Sequence, residues 1–359
     1  MKTDPRFHAC IMAGGSGERF WPMSRVRAPK HLLRFFSKRT LLEETLLRVK
    51  GVVAPKNTWI LTNAAQVPLI RKALPGFPRR QIVAEPAKRD TGPAAALATG
   101  LVRARDPGAV VALLPADALI RNAARFSEQL AQAFAWAAGD GGSARGLLTF
   151  AVPPTHAATG FGYLELGSEF ARGSDGSRFL RVKHFVEKPD ERTARRYVAS
   201  GSYAWNAGIF VWGVGQFLAE VERTAPRLAA FVRDFPAGDP ARYLASRFAS
   251  LPKISVDYAV LEKAACVATV VAQFDWDDVG AWTALAKHLA ADGSGNVSRG
   301  PVAMVGTSRT IAVSNGRVIA LCGVRDLVVV ETPDALLVCH RDAVQDIKSL
   351  MPLLPRRAL

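Results

Sequence analysis

Residues 7–13 form a short, mostly apolar run that stops at three closely spaced glycines, Gly14, Gly15 and Gly17, with Ser16 among them. The run reads as a buried strand, and the glycines let the chain turn sharply while leaving backbone N–H groups uncovered. Bare amides in such a turn make a concave seat for phosphate oxygens. The next segment carries Arg19, Arg25, Arg27, Lys30, Arg34, Lys38 and Arg39, with no acid from Arg19 to Arg39. Arg19 offers a fork of donors to a phosphate, and Lys30 a compact point charge. Two familiar phosphate loops do not fit. The string Gly-x-x-x-x-Gly-Lys-Ser/Thr is absent, and Gly15-Ser16-Gly17 runs on into Glu18-Arg19-Phe20 without a third glycine opening a helix. Pro22 and Pro29 disfavour a long helix directly afterwards. The loop is expected to run extended over a ligand and deliver Lys30 to it.

Beyond the loop, strand and helix signals alternate. Thr40-Leu41-Leu42-Glu43 is a capping box starting a helix to about residue 50. Residues 58–62 read as a strand, 63–74 as a helix, 81–84 as a strand, 91–105 as a helix and 109–114 as a buried strand. A helix over 127–138, a flexible surface loop over 139–143 and a strand over 147–152 follow. This alternation implies a largely parallel sheet covered on both faces, with ligands beyond the carboxyl ends of its strands. The glycine loop, Glu85 and Asp117 all follow strand ends, so they are expected to converge. After Asn296 the pattern changes to short strands and turns. Segments 310–313 and 317–321 flank Ser314-Asn315-Gly316, a hairpin signal. Segments 327–331 and 335–338 flank Thr332-Pro333-Asp334, and a helix over 342–350 closes the chain. The expected division is a large domain over 1–292 and a small β-rich domain with a terminal helix over 293–359.

The net charge of +16 on 359 residues raises nucleic-acid binding as a competitor. Its excess is mostly arginine spread along the chain, without a basic tail or an aromatic-interleaved patch, so no nucleic-acid partner is expected. An anionic substrate pair accounts for part of the charge. No apolar run reaches the length of a membrane span, the N-terminus has no signal-peptide pattern, and no membrane association is expected. Cys10, Cys266, Cys322 and Cys339 are scattered, without metal-ligand spacing or a disulfide framework, and read as reduced residues of a cytoplasmic protein.

Further blocks complete a pattern. They are Glu85-Pro86-Ala87-Lys88-Arg89-Asp90-Thr91-Gly92-Pro93-Ala94, Leu114-Pro115-Ala116-Asp117 and Thr159-Gly160-Phe161-Gly162-Tyr163-Leu164-Glu165. Phe185-Val186-Glu187-Lys188-Pro189, Trp205-Asn206-Ala207-Gly208-Ile209-Phe210 and Asp277-Asp278-Val279-Gly280-Ala281-Trp282 follow in order. Together with Met12-Ala13-Gly14-Gly15-Ser16-Gly17, Arg19, Trp21-Pro22, Ser24-Arg25 and Pro29-Lys30, they resemble the sugar-1-phosphate nucleotidyltransferases. Within these the chain is most similar to the mannose-1-phosphate guanylyltransferases, or GDP-mannose pyrophosphorylases; the Trp-Pro-x-Ser-Arg variant points to that branch.

The resemblance implies a Rossmann-like α/β fold, a mixed and mainly parallel sheet flanked by helices, with a small C-terminal β domain. It implies transfer of a guanylyl group from GTP to mannose 1-phosphate, with Mg²⁺ held by Asp117 and Asp278. Ala13, Gly14, Gly15, Ser16, Gly17, Arg19, Lys30, Glu85, Pro86, Asp90 and Thr91 would bind the nucleotide. Arg25, Gly160, Glu187, Lys188 and Asn206 would bind the sugar phosphate, and Arg19, Lys30, Asp117 and Asp278 would act in catalysis. No protein nucleophile is needed, since positioning and charge neutralisation suffice. In this family the tail is often β-helix-like and at a homodimer contact, although residues 293–359 show no clear repeat period, and no fused phosphomannose isomerase domain is expected after Leu359.

Four departures stand out: Asp90 for the usual Asn, Gly92 for Ala, Phe161 for Tyr and Asp277 for Ser. Asp90 either contacts the base or caps the following helix. At least one of Phe161 and Tyr163 is expected in the core. Ser255-Val256-Asp257-Tyr258 reads as a helix start serving structure more than catalysis. The alternatives are another nucleotide or sugar, as in GDP-heptose or UDP- and dTDP-hexose enzymes, or a silent nucleotide-sugar-binding regulator.

Overall fold

In the computed structural model, which describes residues 3–139 and 146–358, the first apolar run is β1 (Phe7–Met12). α1 (Leu41–Val49) leads to β2 (Thr58–Asn63), α2 (Val67–Ala73) to β3 (Ile82–Glu85) and α3 (Thr91–Arg103) to β4 (Val110–Pro115). These four strands are parallel. The capping box forms as expected, with Glu43 N–H donating to Thr40 Oγ1 at 3.1 Å and Thr40 N–H to Glu43 Oε2 at 2.7 Å. α2 starts later than expected, because Asn63 Oδ1 first accepts from Gln66 N–H in a turn.

α4 (Ala123–Ala138) begins four residues before the expected Ser127, capped by Asn122, whose Oδ1 accepts from Arg125 N–H at 3.1 Å. The surface loop expected over 139–143 lies, after Gly139, outside the described residues. β5 (Leu147–Val152), β6 (Gly162–Arg172), β7 (Arg178–Glu187), α5 (Glu191–Ser200) and β8 (Tyr203–Gly213) follow. α6 (Val214–Thr224), α7 (Pro226–Arg233), α8 (Ala241–Arg247), α9 (Val256–Ala259), β9 (Val267–Val271) and α10 (Ala284–His288) complete the large domain.

One sheet holds all nine strands in the order β3-β2-β1-β4-β8-β5-β9-β7-β6. Its first half is parallel, whereas β8 runs antiparallel to β4 and β5, and β6 to β7. The short link from Arg172 to Arg178 is too brief for a crossover, so β6 and β7 must be antiparallel. Both faces are buried. Along β4, Val111 and Leu113 enter one core with α3, α6 and α7, while Val110, Ala112 and Leu114 enter the other with Phe126, Leu130 and Phe134 of α4. That double burial explains why the strand is an unbroken apolar run.

The C-terminal part contains β10 (Val297–Arg299), β11 (Val302–Val305), β12 (Ile311–Ser314), β13 (Ile319–Cys322), β14 (Leu327–Thr332), β15 (Ala335–His340) and α11 (Ile347–Leu350). β10, β12 and β14 stack in parallel, as do β11 and β13 on a second face. This is a parallel coil, so the Asn315-Gly316 hairpin is corrected: β12 and β13 belong to different sheets. The buried Glu331 carboxylate turns that corner, accepting from Ser314 Oγ, Asn315 N–H and Arg317 N–H at 3.0–3.3 Å. Only β14 and β15 form the antiparallel pair expected around Thr332-Pro333-Asp334. The closing helix shrinks to α11, preceded by a 3-10 turn at Arg341–Ala343.

An apolar core welds this coil to the segment after the glycine loop, joining Phe20, Trp21 and Phe35 to Trp282, Ile311, Val328 and Ile347. Trp21 Nε1 donates to Ala358 O at 2.8 Å, and Arg299 Nη1 to Arg34 O at 2.6 Å.

Candidate active site

The glycine loop leaves β1 at the carboxyl edge of the sheet and is tied down from behind. Thr62 Oγ1 donates to Ala13 O at 2.8 Å, Asn63 Nδ2 to Gly14 O and Gln66 Nε2 to Gly15 O, both at 3.3 Å. Ser24 Oγ donates to Ser16 O at 2.6 Å. Ala13 N–H is also engaged, donating to Leu61 O at 2.7 Å, so the loop keeps the N–H groups of residues 14–17 for a ligand. Gly17 must be glycine: its φ is +67°, and a Cβ there would lie 2.4 Å from Lys30 Cβ.

That close approach sets Lys30 at the bottom of the cleft. Its Nζ lies 2.9 Å from Asp117 Oδ2 and donates to the Asp278 carbonyl at 2.7 Å. Asp117 follows β4, and Asp278 is brought alongside by a two-bond bridge between Leu119 and Asp277. Burial, reinforced by the neighbouring Asp277 and Asp117 carboxylates against the pull of Lys30 and Arg19, pushes the Asp278 carboxyl up to about 6. Its buried negative charge is under-compensated, which suits a further cation. Among the described residues no three or more His, Cys, Asp and Glu converge as a metal cage. The donor set is two hard carboxylates open to a cleft, the arrangement suited to a Mg²⁺ that keeps water and phosphate ligands. Arg19 stands beside them, Nη1 donating to Gly280 O at 3.4 Å, while its buried Nε has no protein partner.

Glu85 ends β3 beside Gly14 and is pushed up to about 7 by burial. Asp90 occupies the N-cap position of α3, yet its side chain makes no capping bond and its φ is +63°. Helix capping is therefore not its role. Gly92 replaces alanine because its N–H donates to Ile254 O at 2.9 Å, and a Cβ would approach that oxygen to 2.6 Å. Thr91 Oγ1 accepts from Val256 N–H at 2.9 Å, fastening α9 to the start of α3.

The other end of the cleft is a cavity of about 270 Å³ lined by Asp117, Asp278, Gly160, Phe161, Glu187, Asn206, Asp257 and Trp276, among others. Asn206 is held in one orientation: its Oδ1 accepts from Thr149 Oγ1 at 2.6 Å and Gly208 N–H at 3.2 Å, while its Nδ2 donates to Asp257 Oδ1 at 3.2 Å. Glu187 pairs with Lys188, whose φ is +48°. Val279 also adopts a left-handed φ of +49°, stabilised by Asp277 Oδ1 accepting its N–H at 2.6 Å. Asp277, in the family's serine position, also receives His288 Nε2 at 3.0 Å, so its extra carboxylate is spent on structure. Left-handed backbone at Asp90, Lys188 and Val279 costs roughly 1–3 kcal/mol each and clusters around this cleft, as strain does at ligand sites.

Of the residues expected in the sugar-phosphate set, Gly160, Glu187 and Asn206 line this cavity, and Lys188 lines an adjoining one. Arg25 does not join them. Its guanidinium pairs with Asp334 at 2.6 Å and reaches Thr332, so it fastens the small domain, a correction no local pattern could supply. Tyr163 is fully buried, whereas Phe161 stands edge-on between Trp205 and Trp276 in the cavity wall. Asp257 was missed: its motif was visible, but only folding shows the carboxylate facing Asn206. Trp276 was also missed, and its buried Nε1 has no protein partner.

A nucleotidyl transferase family model matches residues 8–294, and a mannose-phosphate isomerase/GMP-like β-helix domain model matches residues 300–354. The chain is 37% identical over 349 residues to xanthan biosynthesis protein XanB of Xanthomonas campestris pv. campestris, spanning 95% of this chain and 72% of that protein. It is 35% identical over 356 residues to mannose-1-phosphate guanylyltransferase ManC of Salmonella typhimurium, spanning 96% and 72%. A crystal structure described as mannose-1-phosphate geranyltransferase from Thermus thermophilus superposes with a TM-score of 0.86 at 32% identity, spanning 97% and 99%. By sequence and by fold, the chain belongs to the nucleotidyl transferase family.

Proposed function

We propose that this chain transfers the guanylyl group of GTP to α-D-mannose 1-phosphate, releasing pyrophosphate and forming GDP-mannose. The observation behind this reading is the convergence of loop amides, Lys30, Asp117, Asp278, Glu187 and Asn206 on one cleft, with no activated nucleophile among them. A phosphate oxygen of the acceptor bonds to the α-phosphorus of GTP as the bond from that phosphorus to pyrophosphate breaks. The loop amides and Arg19 receive the phosphates of the nucleotide. Glu85 and Asp90 present acceptors suited to the N1–H and N2–H groups of guanine. Glu187 and Asn206 hold sugar hydroxyls, and Lys188 orients the acceptor phosphate. Asp117 and Asp278 would hold a Mg²⁺, which supplies charge neutralisation at phosphate oxygens. Catalysis then rests on alignment and preorganised charge.

The same reading makes this a cytoplasmic enzyme working as a homodimer, with no nucleic-acid partner. The relative from Salmonella is named for this reaction, and exposed Leu336 and Val338 on β15 offer an apolar surface to a second copy. The test is pyrophosphate release with Mg²⁺, offering GTP, ATP, UTP and dTTP against mannose 1-phosphate and glucose 1-phosphate. Release confined to GTP with mannose 1-phosphate is expected; release with a different pair would overturn the base or sugar assignment, and release with none would overturn the transfer itself.

A further inference from the structure

We propose that the small domain completes the polyphosphate end of the cleft, with Lys348 and Gln345 binding the β- and γ-phosphates of the nucleotide beside Arg19. The inference rests on the transfer reading only in taking a nucleoside triphosphate as the ligand.

Next to the sugar cavity, and sharing Gly160, Phe161 and Asp278 with it, is a second cavity of about 560 Å³. Its wall includes Arg19, Lys188 and Lys287 from the large domain and Gln345 from the small one. The elements that bring Gln345 there are fixed. α11 packs against the turn Glu18–Phe20 that follows the glycine loop. Ile347 is 1% exposed and shares an apolar core with Phe20, Trp21 and Trp282. Lys348, next in this helix, is exposed and sits on the element that packs against the turn carrying Arg19.

Lys348 keeps unusual company for a surface lysine. Partial burial, and then the positive charges of Arg19, Lys88 and Lys188, hold its ammonium below the usual lysine range; Glu18 alone opposes them. Among the described residues no carboxylate forms an ion pair with Lys348, and Glu18 is engaged by Ser16 Oγ at 3.0 Å. Lys30, by contrast, is already held by Asp117 and the Asp278 carbonyl. Lys188 is itself paired with Glu187, whereas among the described residues Arg19 and Lys88 form no ion pair. A polyanion with several phosphate charges turns that repulsion into attraction.

The test compares Lys348→Ala, Lys348→Arg and wild type by equilibrium binding of GTP, GMP and inorganic tripolyphosphate. Lys348 is exposed, so its replacement leaves folding intact, checked by thermal unfolding. Removing one charge-assisted contact should weaken GTP and tripolyphosphate roughly tenfold while leaving GMP unchanged. The arginine variant should keep most of the affinity, and in turnover the alanine variant should raise the KM for GTP without moving the KM for the sugar phosphate. Unchanged GTP and tripolyphosphate binding in Lys348→Ala, or an equal loss for GMP, would overturn the inference, as would a wild type that binds no tripolyphosphate. Binding is read without turnover, so a wild type that binds GTP but transfers nothing sinks the transfer reading alone.

Discussion

Replacing Asp257 by Asn should stabilise the unliganded protein at neutral and alkaline pH. Burial first, and the nearby Glu187 carboxylate second, push the Asp257 carboxyl from the usual 3.8 to about 7, against the pull of Lys188. The folded protein thus holds this proton more tightly than the unfolded chain. The stability it contributes is fully present below about pH 4 and is lost as the pH rises through about 7. A displacement of about three pH units corresponds to roughly 4 kcal/mol, an upper bound because relaxation around the charge reduces it. In Asp257→Asn the amide oxygen can still accept from Asn206 Nδ2, a bond of 3.2 Å in wild type, but there is no charge to bury. Urea unfolding from pH 4.5 to 8.5 should show wild-type stability falling by up to about 1.4 kcal/mol per pH unit below pH 7, relative to the variant. Parallel curves for the two proteins across that range would refute the argument.

The cleft yields three more expectations. Gly17→Ala must accommodate a Cβ 2.4 Å from Lys30 Cβ at a φ of +67°; a loss of about 1–3 kcal/mol in stability and a collapse of turnover are expected from denaturation and steady-state kinetics. Lys30→Ala and Asp117→Asn should each cut kcat by about 100-fold or more with far smaller changes in stability, and near-wild-type turnover in both would contradict the mechanism. Arg25→Ala removes the 2.6 Å pair with Asp334; thermal unfolding should start earlier, while the KM for the sugar phosphate stays put. A raised KM would return Arg25 to the cleft.

The large domain was legible because its determinants are local. A capping box, an apolar run buried on both faces and glycines at strand ends each announce themselves within a few residues, as at Thr40, 109–114 and Gly14. The site blocks were legible because family motifs sit where strands end. What escaped depended on distant partners. Arg25 finds Asp334, 309 positions away, and its basic surroundings suggested a phosphate instead. Asn315-Gly316 has the composition of a hairpin, but the corner is built around Glu331 from the next turn of the coil. The coil shows no clear period because its rungs differ in length: Val297 pairs with Ile311, but Ile311 pairs with the more distant Val328. Asp257 sat in a visible motif, yet a carboxylate gains a role only from what it faces, here Asn206.

The bond from the Trp21 indole to the Ala358 carbonyl spans 337 positions, and this has a consequence for how the protein comes into being. The segment following the phosphate loop leaves the ribosome long before its packing partners Ile311, Val328 and Ile347. At roughly 5–20 residues per second, Phe20, Trp21 and Phe35 wait on the order of 15–70 s for the strands that cover them. During synthesis the large domain's sheet can close long before its cleft is finished, so a growing chain is folded well before it is competent.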